Sequence, residues 1–228
     1  MNRAVAPEVK PFGPLTMPAE TVEVLANGLT LHVVEGGDQP VSRLSIAFSG
    51  GVSEIGNVPA ARLLVSQIVE GTSHRDGAQI ADILDFNGAR FGAVPHGHNV
   101  CADLFFLNDR AEDLMSLWAD CIVNPVYPED RFETARLSAL SAFLSSQQEV
   151  ASLASAALGE LMYGPGHPLG RPLTEEIFKA LDAGPLRDLH RRLMCPARIH
   201  AFLSGRKDRR VGEAVRRMLL SIPKASGG

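Results

Sequence analysis

The feature that most constrains the fold is a turn signal near the start of the chain. Asn27-Gly28 separates two short segments, residues 21–26 and 29–34, that are rich in β-branched and other apolar residues. A type I′ turn needs a positive φ at both central residues, which Asn and Gly tolerate best, so the pair predicts a β-hairpin. Residues 43–48, which are apolar at alternate positions, predict a third strand. We therefore expect the chain to open as an antiparallel meander.

The later segments follow in blocks of the same type and do not alternate strictly between strand and helix. A loop is expected over residues 54–58, after Gly50-Gly51. The spacing of apolar residues then predicts helices at 60–69 and 77–86, strands at 90–94 and 100–107, helices at 109–123, 128–148, 150–162, 174–180 and 185–194, a strand at 198–203 and a helix at 209–220. This order favours an α+β fold in which helices cover a mainly antiparallel sheet.

Composition and charge exclude several classes of function. The 228 residues are 45% hydrophobic, and the net charge of -4 offers no basic surface for nucleic acid. No apolar run approaches the roughly 20 residues that span a bilayer, and the first residues contain no apolar core of a signal peptide. Three widely spaced cysteines predict reduced thiols and no disulfide framework. We expect a cytoplasmic protein without a membrane or nucleic-acid partner.

The chain divides into one domain with two short extensions. Residues 1–20 contain four prolines and predict an extended arm, residues 21–223 a single α+β domain, and residues 224–228 a tail.

Six segments, in this order, are similar to the N-terminal half of the pitrilysin/insulinase-type zinc peptidases, the family that includes the mitochondrial processing peptidases. They are LANGLTLHVVEG, LSIAFSGGVSEIG, LLVSQIVEGT, FNGARFGA, LMSLWADCIVNPVYPEDRFE and YGPGHPLGRPL, and together they extend over about residues 21–223. The resemblance implies the metallopeptidase half-domain fold of that family.

In that family an inverted motif, H-x-x-E-H, lies on a helix and binds zinc. Aligned on Gly71-Thr72, the two histidine positions are Arg62 and Ser66, and the position of the general base is Val65. The third ligand, a Glu of the long helix, falls at Ala142. An Arg has no lone pair to give, a Ser is a poor zinc ligand and a Val accepts no proton. With these residues at the motif positions, the resemblance implies a protein that binds no zinc, needs no other cofactor and is not catalytic.

Two groups of histidines outside the motif have to be considered. His96 and His98 lie on one face of an extended segment, where Cys101 or Asp103 would complete a metal site, but the spacing is unfamiliar and an exposed bend is the simpler interpretation. His190 lies among several arginines and is expected on a solvated helix face.

The strand at residues 90–94 is the remaining candidate site. The equivalent strand of the family lies at an edge of the sheet and pairs with extended peptides through its backbone, which needs no metal. The candidate peptide-binding residues are Arg90, Phe91, Gly92, Ala93 and Val94. A strand with only a structural role is the alternative.

Family members usually carry two such halves that close over a peptide. The resemblance therefore suggests a non-catalytic domain or subunit that contributes a chamber wall or a peptide-binding strand. Its partner would be an active zinc peptidase subunit, a second half-domain or another copy of the chain. Two alternatives remain open: a metallopeptidase with a rebuilt metal site, and a purely structural scaffold.

Overall fold

The computed structural model describes Gly13, residues 16–193 and residues 195–223. Most of the expected N-terminal arm and the whole expected tail lie outside these residues. The strands are β1 Glu20–Val24, β2 Thr30–Glu35, β3 Val41–Ser49, β4 Arg90–Pro95, β5 Asn99–Leu107 and β6 Ile199–Gly205. The α-helices are α1 Gly51–Ile55, α2 Val58–Ser66, α3 Gly77–Phe86, α4 Ala111–Val123, α5 Glu129–Ser146, α6 Val150–Tyr163, α7 Glu175–Lys179, α8 Ala183–Leu193 and α9 Arg209–Ser221.

The strands form one mixed sheet in the order β1-β2-β6-β3-β5-β4. Every neighbouring pair is antiparallel except β2 and β6, which run parallel. The predicted α+β fold with a mainly antiparallel sheet is therefore confirmed. The parallel pair arises because β6 comes from the end of the chain and inserts between two strands of the opening meander.

The two faces of the sheet differ in burial. Alternate residues of the central strands, including Leu44, Ile46, Leu104 and Ala201, are fully buried in the hydrophobic core with α2 and α4. On the opposite face, side chains such as that of Phe202 remain exposed. The face toward the helices therefore holds the core.

The opening turn forms where it was predicted, but its type differs. Gly28 has a φ of +94°, whereas Asn27 keeps a negative φ, so the turn is not type I′. The Asn27 side chain instead donates hydrogen bonds to the carbonyl oxygens of Leu219, at 2.8 Å, and Ile222, at 3.1 Å. Asn27 thus caps the C-terminal end of α9. The contact joins residues far apart in the sequence, so turn propensities alone do not predict it.

The expected loop at residues 54–58 is partly wrong, because α1 occupies its first two positions. The amide of Val52 donates to the carbonyl of His96, and the amide of Ser53 donates to the carbonyl of Gly97, both at 3.0 Å. These are first-turn amides, which have no partner within their own helix. The turn between β4 and β5 supplies the acceptors, so this short helix depends on a tertiary contact.

No helix within the described residues has both the length and the apolar character needed to cross a membrane.

Candidate functional site

The helix α2 carries the positions of the family's metal motif. Its start is capped by Asn57, whose side-chain oxygen accepts a hydrogen bond from the amide of Ala60 at 2.8 Å, and Pro59 fits the first turn. Leu63 and Leu64 are buried, and α2 packs with this apolar side against β4 and β5. The spacing of the apolar residues thus gives α2 one apolar side, and the packing of that side places the helix beside the edge of the sheet.

The structure places the four motif positions in different environments. Arg62 is exposed, and Ser66 is half-buried with its hydroxyl 3.5 Å from the carbonyl oxygen of Leu63. Val65 is only 2% exposed and belongs to the hydrophobic core. Ala142 is exposed on α5, a helix that contacts α2.

These side chains do not fit a zinc ion. Arg62, Val65 and Ala142 offer no lone pair to a metal, and the hydroxyl of Ser66 is a weak ligand by itself. Within the described parts of the chain, no group of three or more His, Cys, Asp or Glu side chains is arranged to hold a metal ion.

A buried hydrogen-bond network holds the C-terminal end of α2. Tyr127, with a φ of +52°, donates its hydroxyl to the carbonyl oxygen of Leu64 at 2.7 Å. The same hydroxyl lies 3.1 Å from Nδ1 of His190, whose Nε2 is 2.8 Å from the carbonyl oxygen of Ile122. Burial raises the pKa of Tyr127, and burial lowers the pKa of His190 to about 4. Both groups are therefore neutral at pH 7.

The expectation that His190 lies on a solvated helix face is wrong, because its exposed fraction is 6%. Its neighbours Arg191 and Arg192 are exposed, so α8 turns only one side of this basic stretch to solvent. The sequence did contain a signal for this burial. His190 lies four residues after Leu186 and three before Leu193, which places it on the apolar face of α8.

The residues Gly71 and Thr72, which follow α2, are fixed by a second network. The hydroxyl of Thr72 donates to Asp120 at 2.7 Å, and His74 and Arg75 bind the same carboxylate at 2.7 and 3.0 Å. Burial alone would raise the pKa of Asp120, but hydrogen bonds from Thr72, Asn124 and His74 outweigh it, so the pKa lies below its ordinary value. The network ties the segment that follows α2 to Asp120 of α4.

The strand β4 lies at one edge of the sheet and is paired with β5 on one side. The amide of His96 donates to the carbonyl of Asn99 at 2.7 Å, which fixes the phase of this antiparallel ladder. Hydrogen-bonded pairs alternate along such a ladder, so the even-numbered residues of β4 bond to β5. The odd-numbered Phe91 and Ala93 therefore direct their amide and carbonyl groups away from the sheet.

The side chains of β4 alternate between the two faces of the sheet. Phe91 and Ala93 are half-buried toward the helices, and the ring of Phe91 packs against that of Trp118 with centroids 5.7 Å apart. Arg90 and Val94 are exposed on the opposite face. The strand is anchored through its odd-numbered side chains, while the backbone of those same residues faces outward.

His96 and His98 are both exposed on the turn between β4 and β5. Of the expected additional ligands, Asp103 is buried and paired with Arg43 at 2.7 Å. Burial and the neighbouring carboxylate of Asp103 raise the pKa of the half-buried Cys101 thiol, which disfavours the thiolate that metals prefer. The backbone carbonyl groups of this turn accept hydrogen bonds from the amides of α1, whereas its two imidazoles are exposed.

No protein-family model matches this sequence, and no curated protein is similar enough to count as a relative. Solved structures do share the fold. A peptidase M16 inactive domain from Pseudomonas fluorescens superimposes with a TM-score of 0.80 over 91% of this chain and 52% of its own, at 24% identity. A protease from Helicobacter pylori gives 0.80 over 93% of this chain and 53% of its own, at 14% identity.

The periplasmic protease PqqL from Escherichia coli gives a TM-score of 0.76 over 92% of this chain and 25% of its own, at 14% identity. This neighbour is periplasmic, so the comparisons do not confirm the cytoplasmic location expected from the sequence. The chain spans about half the length of the first two structures. At these identities the likeness establishes the fold: the chain folds as a half-domain of the M16 peptidase type.

Proposed function

We propose that this protein is a non-catalytic M16-type half-domain that contributes a peptide-binding edge strand to a chamber completed by a second half-domain. The observation that carries the proposal is the position of β4, an edge strand beside a helix whose metal-ligand positions hold Arg62 and Ser66. A site of this kind recognises a peptide backbone and leaves its bonds intact.

Backbone pairing needs an unpaired row of amides and carbonyls, and Phe91 and Ala93 provide one. An extended peptide that adds to β4 gains main-chain hydrogen bonds, each contributing about 0.5–1.5 kcal/mol. The exposed side chains of Arg90 and Val94 flank the peptide on one face, while Gly92 between them leaves room for a peptide side chain. The affinity therefore depends on the backbone, and Zn²⁺ has no part in it.

The partner role is supported by the solved structures. The chain corresponds to about half of the M16 inactive domain from Pseudomonas fluorescens and about half of the structure described as the first half of PqqL. A second unit of similar size thus accompanies this fold in both of those structures. We extend this arrangement to the present chain, with the catalytic zinc on the partner.

Replacing Ala93 by Pro tests the edge strand. Ala93→Pro removes the outward amide but no hydrogen bond to β5, and an edge strand tolerates such a proline. We expect the affinity for fluorescently labelled unstructured peptides, measured by anisotropy, to fall about tenfold, the effect of roughly 1.4 kcal/mol. Ala93→Ser, which keeps the amide and nearly the same volume, is the matched control and should bind like the parent.

Equal affinities of Ala93→Pro and Ala93→Ser would contradict the edge-strand proposal, as would the absence of any peptide binding by the parent chain. The latter result would favour the structural scaffold. Metal analysis of protein purified without chelator addresses the rebuilt-site alternative. Stoichiometric zinc that is lost on replacing His96 and His98 by Ala would overturn the non-catalytic assignment.

A further inference from the structure

A row of side chains crosses the exposed face of the sheet and begins at the edge strand β4. In the register of the sheet, Arg90 lies opposite Phe105, and Phe105 lies opposite Arg43. Arg43 in turn lies opposite Ser204 of β6. Side chains of directly opposite residues share one face of the sheet. The row therefore places an aromatic ring between two guanidinium groups, one of which belongs to the strand proposed to bind peptides.

A cavity of about 470 Å³ lies along this row. Arg43, Arg90, Phe105 and Leu107 contribute to its lining, and none of the described residues that line it carries a carboxylate. The strands β3 and β4 are two strand spacings apart, about 10 Å, so a group bound over Phe105 lies between two positive charges. Apolar walls such as Phe105 and Leu107 concentrate the field of charges of one sign in a cleft. The cavity is therefore suited to an anionic group.

The two arginines differ in how far their charge is already neutralised. Arg43 donates a hydrogen bond to Oδ2 of Asp103 at 2.7 Å, and its guanidinium lies 5.1 Å from the centre of the Phe105 ring. Arg90 forms no ion pair with any residue that the structure describes. The positive charge left for a ligand is therefore mainly that of Arg90. Since the whole chain has a net charge of -4, an attraction for anions here is local.

We propose that this cavity selects peptides that carry an acidic side chain, which pairs with Arg90 when the peptide adds to β4. The inference rests on the proposed function, because the peptide must first pair with the edge strand. Phe91 and Ala93 direct their backbone groups outward, so in an antiparallel peptide the residue opposite Arg90 belongs to a non-hydrogen-bonded pair. Side chains approach most closely in such pairs, and opposite charges across them attract. An aspartate or glutamate at that position reaches Arg90 at the mouth of the cavity.

Fluorescence anisotropy with a matched pair of labelled peptides tests the selection. Both peptides are unstructured, acetylated and amidated, and they differ only in carrying Glu or Gln at one central position. We expect the protein to bind the Glu peptide about fivefold more tightly at low ionic strength, the upper range for an exposed cross-strand ion pair. In about 1 M salt, where the Debye length is about 3 Å, the preference should nearly vanish.

The variant Arg90→Gln should bind both peptides with the affinity that the parent shows for the Gln peptide. Its urea midpoint should stay unchanged, because the Arg90 side chain is exposed. Arg192→Gln is the matched control: Arg192 is also exposed but lies on α8, so this variant loses the same charge and should keep the parent's preference. A preference that persists in Arg90→Gln, or that disappears in Arg192→Gln, would overturn the inference.

The same measurements separate this inference from the proposed function. If the parent binds the Glu and Gln peptides equally well, the selection by Arg90 is wrong and the edge-strand proposal stands. If the parent binds neither peptide, the edge-strand proposal fails and this inference fails with it. A Gln peptide with a free C-terminal carboxylate tests the other source of the same chemistry. Binding of that peptide as tight as that of the amidated Glu peptide would overturn the choice of a side chain.

Discussion

At the scale of single residues, His190 shows how burial decides chemistry. A carbonyl oxygen only accepts hydrogen bonds, so Nε2 of the neutral ring must carry the proton that it donates to Ile122, and Nδ1 is left with a lone pair. The hydroxyl of Tyr127 then faces two acceptors, Leu64 and Nδ1, with one proton. Protonating Nδ1 would satisfy every group, but burial opposes the charge and holds the pKa at about 4.

This balance predicts that folding stability falls in mild acid. In the unfolded chain His190 titrates near its ordinary pKa of 6.5, so between pH 6.5 and 4 the unfolded state binds a proton that the folded state does not. The stabilisation is complete above pH 6.5 and is lost as the pH falls toward 4. The full difference is on the order of 3 kcal/mol. Urea unfolding at pH 7.5, 6 and 5 measures it.

The variant His190→Gln should show a shallower loss of stability over the same range, since its side chain does not titrate. His96→Gln is the control, and because His96 is exposed it should keep the parent's pH dependence. If His190→Gln and the parent lose stability in parallel, another group is responsible for the acid sensitivity.

At the scale of elements, the short helix α1 exists because of a close approach between backbones. A Cβ at Gly51 would lie 2.4 Å from the carbonyl oxygen of His96 and 2.4 Å from the amide nitrogen of Asn99. Only glycine allows this approach, which brings the amides of α1 to their acceptors. The doublet Gly50-Gly51 therefore ends β3 and also starts a helix, and sequence patterns reveal only the first of these roles.

We expect Gly51→Ala to destabilise the protein by about 1–3 kcal/mol, because the added methyl group meets backbone atoms that cannot yield independently. The free energy of unfolding from urea titration measures the effect. Gly166→Ala is the matched control: a Cβ there has open space around it, and its stability should change by less than about 0.5 kcal/mol. Equal stabilities of the two variants would show that α1 can detach from the turn between β4 and β5 without loss.

At the scale of the whole molecule, stability should be distributed unevenly. β3 lies between β6 and β5 in the middle of the sheet, and α4 buries eight of its residues, whereas α6 buries none. Local opening is easiest where few side chains are buried. The domain is thus expected to have a rigid sheet with α4 on it and a weakly held α5–α6 region.

Hydrogen exchange measured by mass spectrometry tests this distribution. α4 and α6 have nearly the same length, 13 and 14 residues, so they form an internal comparison. In the isolated chain, the amides of α6 should exchange at least about tenfold faster than those of α4, which is a difference of roughly 1.4 kcal/mol in opening free energy. Equal protection of the two helices in the monomeric chain would contradict the uneven distribution.

The sequence alone determined the order of the elements other than α1, the α+β class and the residues at the motif positions. These follow from apolar periodicity, from capping residues such as Asp76, and from the identities of Arg62, Val65 and Ser66, all of which are local properties. The edge position of β4, the burial of His190 and the capping role of Asn27 were decided by the tertiary structure. Each depends on which distant segment lies alongside, and the parallel insertion of β6 and the contacts of α9 arise only when the whole chain has packed.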